Sequence, residues 1–390
     1  MAGAQAVPAT GLRNPDIDLL RGLSILLVVL HHIGLRIPLK HGVLADYVPG
    51  FVLGALNYNG YEAVFMFFVI SGFLITRNSL RRYGSLGRMD VRDFYARRFA
   101  RIAPCLLALL LVLSALHGLG VDGYVIHKAG QSLPRALSAA LGLHLNWYEG
   151  HYGYLPANWD VLWSLSIEET FYLAFPIACL MIRRSSVLLA LLMLCALTLP
   201  WTHAALKGNE IWQEKAYLPG MAAIAIGVVG AMLAARWPLR ATWSRQAWRL
   251  MGSAGIVAVL FAGAWLWSLL RDGYLLWLTF SVMLLLVSSR GGYAQAWRGL
   301  RWLSSCGRLS YEIYLSHMFV VLTVVRLFHA LGSNMQWGVL WYPPTVFLCW
   351  LLGLGVDRWL STPCERWLRV RLLKRSTSAL PIMPPHSASE

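Results

Sequence analysis

Charge is scarce in this chain, and acidic charge scarcest of all. Only 13% of its 390 residues are Asp, Glu, Lys or Arg, and only 18 are acidic. A soluble domain carries about 25% charged residues, so the shortage argues against an ordinary soluble enzyme. Cysteine is sparse and unpatterned. Cys105, Cys179, Cys195, Cys306, Cys349 and Cys364 form no CxxC pair, which removes zinc-ribbon and dithiol redox readings. HExxH, glycine-rich nucleotide loops and the P-loop are absent as well, and no metal is expected. There is no internal repeat. The first 18 residues are polar and mixed, with no small-residue cleavage site after an apolar core, so no cleavable signal peptide is expected.

What is present is apolar. Hydrophobic residues make up 57% of the chain, the mean hydropathy is +0.55, and there are 18 Trp and 16 Tyr. Trp and Tyr favour the membrane–water interface, where one end is apolar and the other finds a hydrogen bond. The composition is that of an all-α, polytopic membrane protein. The net charge of +16 invites a nucleic-acid reading, but most of the 34 basic residues fall between apolar runs. That is how cytoplasmic loops look under the positive-inside rule, and no nucleic-acid partner is expected.

A bilayer core needs about 20 mostly apolar residues per helix. On that template ten spans are expected, near 18–36, 58–77, 101–119, 160–182, 186–204, 217–235, 249–269, 273–289, 310–330 and 339–359. The stretch "ALSAALGLHLNW" at 136–147 is too short for an eleventh. Ten spans with both termini cytoplasmic put most basic residues inside. Every cysteine then lies outside the external loops, and no disulfide is expected. The longest external segment, about 120–159, contains "HLNWYEGHYGYLPANWD", a mixture that suits sugar stacking and hydrogen bonding as well as an ordinary interfacial loop. The Ser/Pro-rich residues 376–390 read as a disordered cytoplasmic tail.

The first span is unusual. "LLRGLSILLVVLHHIG", Leu19 to Gly34, carries Arg21 near one end and His31-His32 near the other. Ionisable groups inside a bilayer are costly unless they face protein or water. Eleven residues at 1.5 Å each separate Arg21 and His32 by roughly 16 Å, so the two sit at different depths and are not a contact pair.

Arg21, ten residues, then His32 resembles the R-x10-H motif of the acyltransferase family 3 proteins, which are membrane O-acyltransferases. "VFMFFVISGFLITR" (Val64–Arg77) resembles the family's second span through Ser71, Gly72 and Phe73. "FYARRFARIAP" (Phe94–Pro104) resembles its basic approach to the third. "WSLSIEETFYLAFP" (Trp163–Pro176) matches the WSL-x-x-E-x-x-FY signature and puts Glu168 at the acidic position. "GRLSYEIYLSHMFV" (Gly307–Val320) matches the late SY-x-x-YL-x-H signature through Ser310, Tyr311, Tyr314 and His317. Two departures stand out. Ala63 and Phe65 occupy places where the family has Gly and often an acid, and Tyr217-Leu218 stands where an Arg is expected. The motifs occur in the family's order over roughly 14–375. The implied layout is a short N-terminal cytoplasmic segment (1–15), the membrane domain (16–375) and the tail. A stand-alone member without a C-terminal soluble hydrolase-like domain is expected.

The resemblance implies acyl transfer, commonly acetyl, from acyl-CoA to a hydroxyl on a cell-envelope or exported carbohydrate or glycolipid, in the bacterial inner membrane. No permanently bound cofactor is implied. His32 has the chemistry of a general base near neutral pH. Glu168 is a candidate to orient His32, to bind an acceptor hydroxyl, or to pair with an arginine. Arg21, Arg97, Arg98 and Arg101 are the candidates for the donor's phosphates, because guanidinium offers phosphate a bidentate fork. For Arg97, Arg98 and Arg101 taken singly, plain topology and contact with membrane lipids explain as much. Ser71, Trp163, Tyr311, Tyr314 and His317 are candidates for the substrate path, with helix packing the competing explanation. Three other readings share these features: acylation of a small secreted metabolite such as a macrolide, a transporter or flippase for a lipid-linked sugar, and a non-catalytic sensor or scaffold. Acyl chain, acceptor and oligomeric state are not legible.

Overall fold

A computed structural model describes residues 14–289 and 298–373. The expected disordered tail lies outside these residues. Among them there is no strand, and the chain is an all-α polytopic membrane protein. The long helices are α1 (Pro15–Gly34), α2 (Gly60–Tyr83), α3 (Val91–Gly118), α4 (Leu162–Met181), α5 (Ser185–Leu197), α6 (Tyr217–Arg236), α7 (Thr242–Leu270), α8 (Gly273–Ser288), α9 (Ser310–Ala330), α10 (Tyr342–Val356) and α11 (Thr362–Leu373).

Nine helical segments among the described residues are long and apolar enough to cross a membrane, and each coincides with an expected span. The tenth expected span, 273–289, is α8. Its 16 residues reach about 24 Å, short of the roughly 30 Å hydrocarbon core. The stretch 136–147 does not cross. It is divided between two short helices, Leu133–Leu141 and Leu145–Tyr152, in the segment folded over one end of the bundle.

Local chemistry explains where α1 begins. The Asn14 side chain accepts from the Asp16 backbone N–H, Pro15 occupies the first turn, and Asp16 and Asp18 face the positive end of the helix dipole. The helix then runs apolar to His31-His32. α2 and α6 form the centre of the bundle, with Ala63, Met66, Val69, Ala222, Ile224 and Val228 fully buried or nearly so. On α5 and α7, by contrast, Leu191, Leu194, Leu250, Val257 and Leu269 are exposed. That is the outward apolar surface a bilayer covers.

α1 and α9 run parallel. Arg21 meets Ser310 near the start of both helices, and His32 meets His317 further along. Their register is held by the short helix Arg301–Arg308, whose Gly307 lies against the Asp18 backbone while Gly22 lies against that of Leu303. A Cβ at either glycine would strike a carbonyl oxygen. The bundle thus has an arginine-rich end, where α1 and α9 begin, and a histidine-containing layer deeper in.

Candidate active site

The arginine-rich end encloses a cavity of about 1240 Å³. Nine arginines line it, Arg21, Arg97, Arg98 and Arg101 among them, against four carboxylates, Asp18, Glu168, Asp357 and Glu365. The excess of guanidinium makes this a place for an anion. Toward the histidines the lining turns apolar, with Val64, Phe67, Phe68, Leu165 and Leu315.

The four expected donor arginines are all on this wall, in different states. Arg21 Nη2 donates to Ser310 Oγ at 2.8 Å. Arg98 lies over the Tyr172 ring, 4.0 Å from its centroid. Arg97 pairs with Asp93 at 2.8 Å, one turn earlier on α3. Arg101 bridges Glu312 at 3.2 Å and Glu365 at 3.3 Å, tying α3 to α9 and α11. Two of the four therefore already hold carboxylates of their own chain.

Glu168 also faces the cavity. Its neighbours are the Ser71 hydroxyl and the cations Arg98 and Arg21. Ser71 in turn hydrogen-bonds the Tyr172 hydroxyl. The groups around the His32 ring are different: His31, His317, Arg36 and Lys215. Glu168 and His32 make no contact among the described residues. The groups acting on Glu168 are therefore Ser71, Arg98 and Arg21 rather than His32.

Tyr311, Tyr314 and His317 lie on α9 in that order. The Tyr311 hydroxyl donates to the Ile102 carbonyl at 3.0 Å, and the ring lies under Arg101. Tyr314 is on the cavity wall and shares a 2.7 Å hydrogen bond with Ser164. Its ring centroid is 6.0 Å from that of His317, which is 5.1 Å from that of His32. The rings thus form a row leading from the cavity to His32. Trp163 is off the wall, packed edge-on against Phe68. Among the described residues no group of His, Cys, Asp and Glu could hold a metal ion.

Other ionic groups at the histidine layer escaped the sequence reading. Lys215, fully buried just before α6, bonds Glu149 at 2.9 Å and also Asp160. Arg36, one turn past His32, donates to the His32 carbonyl at 2.9 Å and acts on Asp160. Tyr154 donates to Glu214 at 2.9 Å, and burial with that carboxylate holds its phenol above the ordinary tyrosine range. Glu149, Tyr154 and Asp160 all come from the aromatic stretch 144–160, so its mixed composition was a signal. Their partners are 55–66 residues away in sequence, which no local pattern reveals.

A family model described as an acyltransferase domain matches residues 14–354. The chain is 27% identical over 358 residues to YrhL of Bacillus subtilis strain 168, which carries the provisional name of a peptidoglycan O-acetyltransferase. That match covers 83% of this chain and 51% of the relative. It is 24% identical over 391 residues to OatA of Listeria monocytogenes, named a peptidoglycan O-acetyltransferase, covering 90% of this chain and 56% of the relative. The chain therefore spans about half the length of these relatives. No solved structure matches. With the Arg21–His32 motif on α1, the late signature on α9 beside it, and the model match over residues 14–354, the chain belongs to the acyltransferase family 3.

Proposed function

We propose that this protein is an O-acyltransferase that moves an acetyl group from acetyl-CoA to a hydroxyl of a cell-envelope carbohydrate. The observation that carries the reading is the arginine-lined cavity whose far wall, Tyr314, begins the row of rings ending at His32. The names of the relatives favour acetyl as the group and peptidoglycan as the class of acceptor.

The arginine-rich end faces the cytoplasm in this reading, as positive-inside charge favours, and both termini lie there. Coenzyme A carries several phosphate charges. Arg21 and Arg98 offer them charge-assisted hydrogen bonds, with Glu168 keeping the two guanidinium groups in place when no donor is bound. The pantetheine arm then lies along the apolar lining, which directs the thioester towards Tyr314 and the histidines. The acceptor approaches from the opposite face, past the folded 120–160 segment and Arg36. His32 removes the hydroxyl proton as the oxygen attacks the acyl carbon. The C–O bond forms, the C–S bond breaks, and the thiolate leaves towards the cavity and is protonated. General-base help of this kind is worth about 10²–10⁴-fold. Ionisable groups inside the first span are thereby explained: one meets phosphate and the other the reacting hydroxyl.

The test is mass spectrometry of envelope glycans and secreted metabolites from a strain lacking the gene and one with it restored. A fixed acetyl mass that disappears and returns supports the enzyme and identifies the acceptor, whether glycan or small metabolite. Membranes containing the protein should also release free thiol from acetyl-CoA in an acceptor-dependent way. No difference in any acyl mass would put a lipid-linked-sugar transporter first.

A further inference from the structure

The geometry points to His317 as a second proton-carrying residue of the reaction centre, working with His32. This rests on the acyl-transfer reading above and adds a residue to its mechanism.

His317 is fully buried. Its Nδ1 lies 2.8 Å from the Tyr314 carbonyl oxygen and 3.2 Å from that of Ile313. A carbonyl oxygen only accepts, so Nδ1 carries the proton. In a neutral imidazole the other nitrogen, Nε2, is then a lone pair. That Nε2 is buried and has no hydrogen-bond partner. Buried polar atoms without partners are uncommon in folded proteins, and each calls for an explanation. Here the explanation is position. The His317 ring centroid lies 5.1 Å from that of His32 and 6.0 Å from that of Tyr314, which is on the cavity wall. An acceptor held in a fixed tautomer between the proposed base and the proposed donor cavity is where a proton would pass.

The charged and titratable groups facing the pair are His31 and Arg36 from α1 and its end, Tyr314 from α9 itself, and Lys215 near His32. The Cys349 thiol of α10 meets only the His317 backbone carbonyl. No carboxylate of the described residues touches either ring. The pair therefore works by passing a proton rather than by storing charge.

The acceptor oxygen bonds to the acyl carbon and its proton goes to one nitrogen of neutral His32. His32 releases a proton from its other nitrogen, and His317 Nε2 takes one up, either once the rings close to hydrogen-bond distance or through one bridging water. The C–S bond breaks, and the sulfur takes the proton from Nε2. The products are the ester and the free thiol. Both rings end neutral, and His32, which is partly exposed, regains its starting tautomer by exchange with water.

The test compares the full chain with H317N and H317Q. Asparagine places an amide N–H where Nδ1 was and can still bond the Ile313 and Tyr314 carbonyls, but it has nothing at Nε2. Glutamine places an amide near Nε2 that cannot carry a proton. Binding of acetyl-CoA by each purified protein checks the fold and the donor site. Acyl ester on envelope glycans, in the gene-deleted strain restored at equal protein level, reads the chemistry. The expected result is donor binding within about twofold of wild type for H317N, with ester formation down about 100-fold or more, as for loss of an acid–base residue. H317Q should be equally impaired, and it decides the matter if H317N does not fold. Near-wild-type ester formation by either variant would overturn the proposal. If wild type itself restores no ester, the acyl-transfer reading fails, and the assignment of His317 fails with it.

Discussion

Arg21 and Ser310 are 289 residues apart in sequence and share a 2.8 Å hydrogen bond. The bond joins the first motif of the chain to the last and fixes the register in which His32 reaches His317. Arg21 is therefore both a wall of the cavity and a tie between α1 and α9. Replacing it by lysine keeps the charge and loses the fork. R21K and R21A should both weaken acetyl-CoA binding, by about tenfold or more for R21A, the scale of one charged hydrogen bond. Titration of the purified variants with acetyl-CoA measures this. Unchanged affinity in R21A would remove Arg21 from the donor site.

Gly72 and Gly227 let α2 and α6 touch backbone to backbone. A Cβ on Gly72 would meet the Ile224 carbonyl oxygen, and one on Gly227 that of Val69. Overpacking of this kind costs typically about 1–3 kcal/mol. Gly72→Val should lower the melting temperature in detergent by several degrees, and ester formation should fall with the folded fraction. A stable but inactive Gly72→Val would instead mean that Gly72 meets substrate.

Lys215 is fully buried against Glu149 and Asp160. Removing one partner of a buried ion pair strands the other charge and costs about 3–5 kcal/mol. K215M should be strongly destabilised, and the double variant K215M/E149Q less so than the sum of the two single changes. Additive losses in thermal denaturation would show that the pair is not coupled.

Asp272 lies in the turn between α7 and α8. Burial works against its charge, but the side chains of Lys207 and His203, each at 2.7 Å, hold its carboxyl below the ordinary 3.8. A carboxylate whose folded value is depressed adds stability above the unfolded value, and that stability is lost as the pH falls through the folded one. The melting temperature should therefore drop between about pH 5 and pH 3, and D272N should flatten part of that drop. Equal slopes for D272N and wild type would contradict the assignment.

The spans were legible because length and hydropathy are local properties. α8 keeps the expected bounds to within one residue and is the shortest of the ten segments. Depth was also legible: Arg21 and His32 are separated along α1 as the 1.5 Å rise requires. The facing of side chains was not. Glu168 lies on the cavity wall among Ser71, Arg98 and Arg21, and His32 among His31, His317 and Arg36, a division that depends on how α4 packs against its neighbours. His317 was visible only as part of a motif. The closeness of its ring to that of His32 depends on the close approach of Gly22 and Gly307 to the backbones of Leu303 and Asp18. The cluster at Lys215 joins two segments whose pairing no periodicity encodes.

The most direct measurement is the O-acetyl content of envelope glycans in the gene-deleted strain restored with wild type or with His32→Ala at equal protein level in the membrane. Wild type should return the acetyl ester and His32→Ala about a hundredth of it or less, while still binding acetyl-CoA. Full restoration by His32→Ala would show that the hydroxyl proton goes elsewhere and would contradict the mechanism.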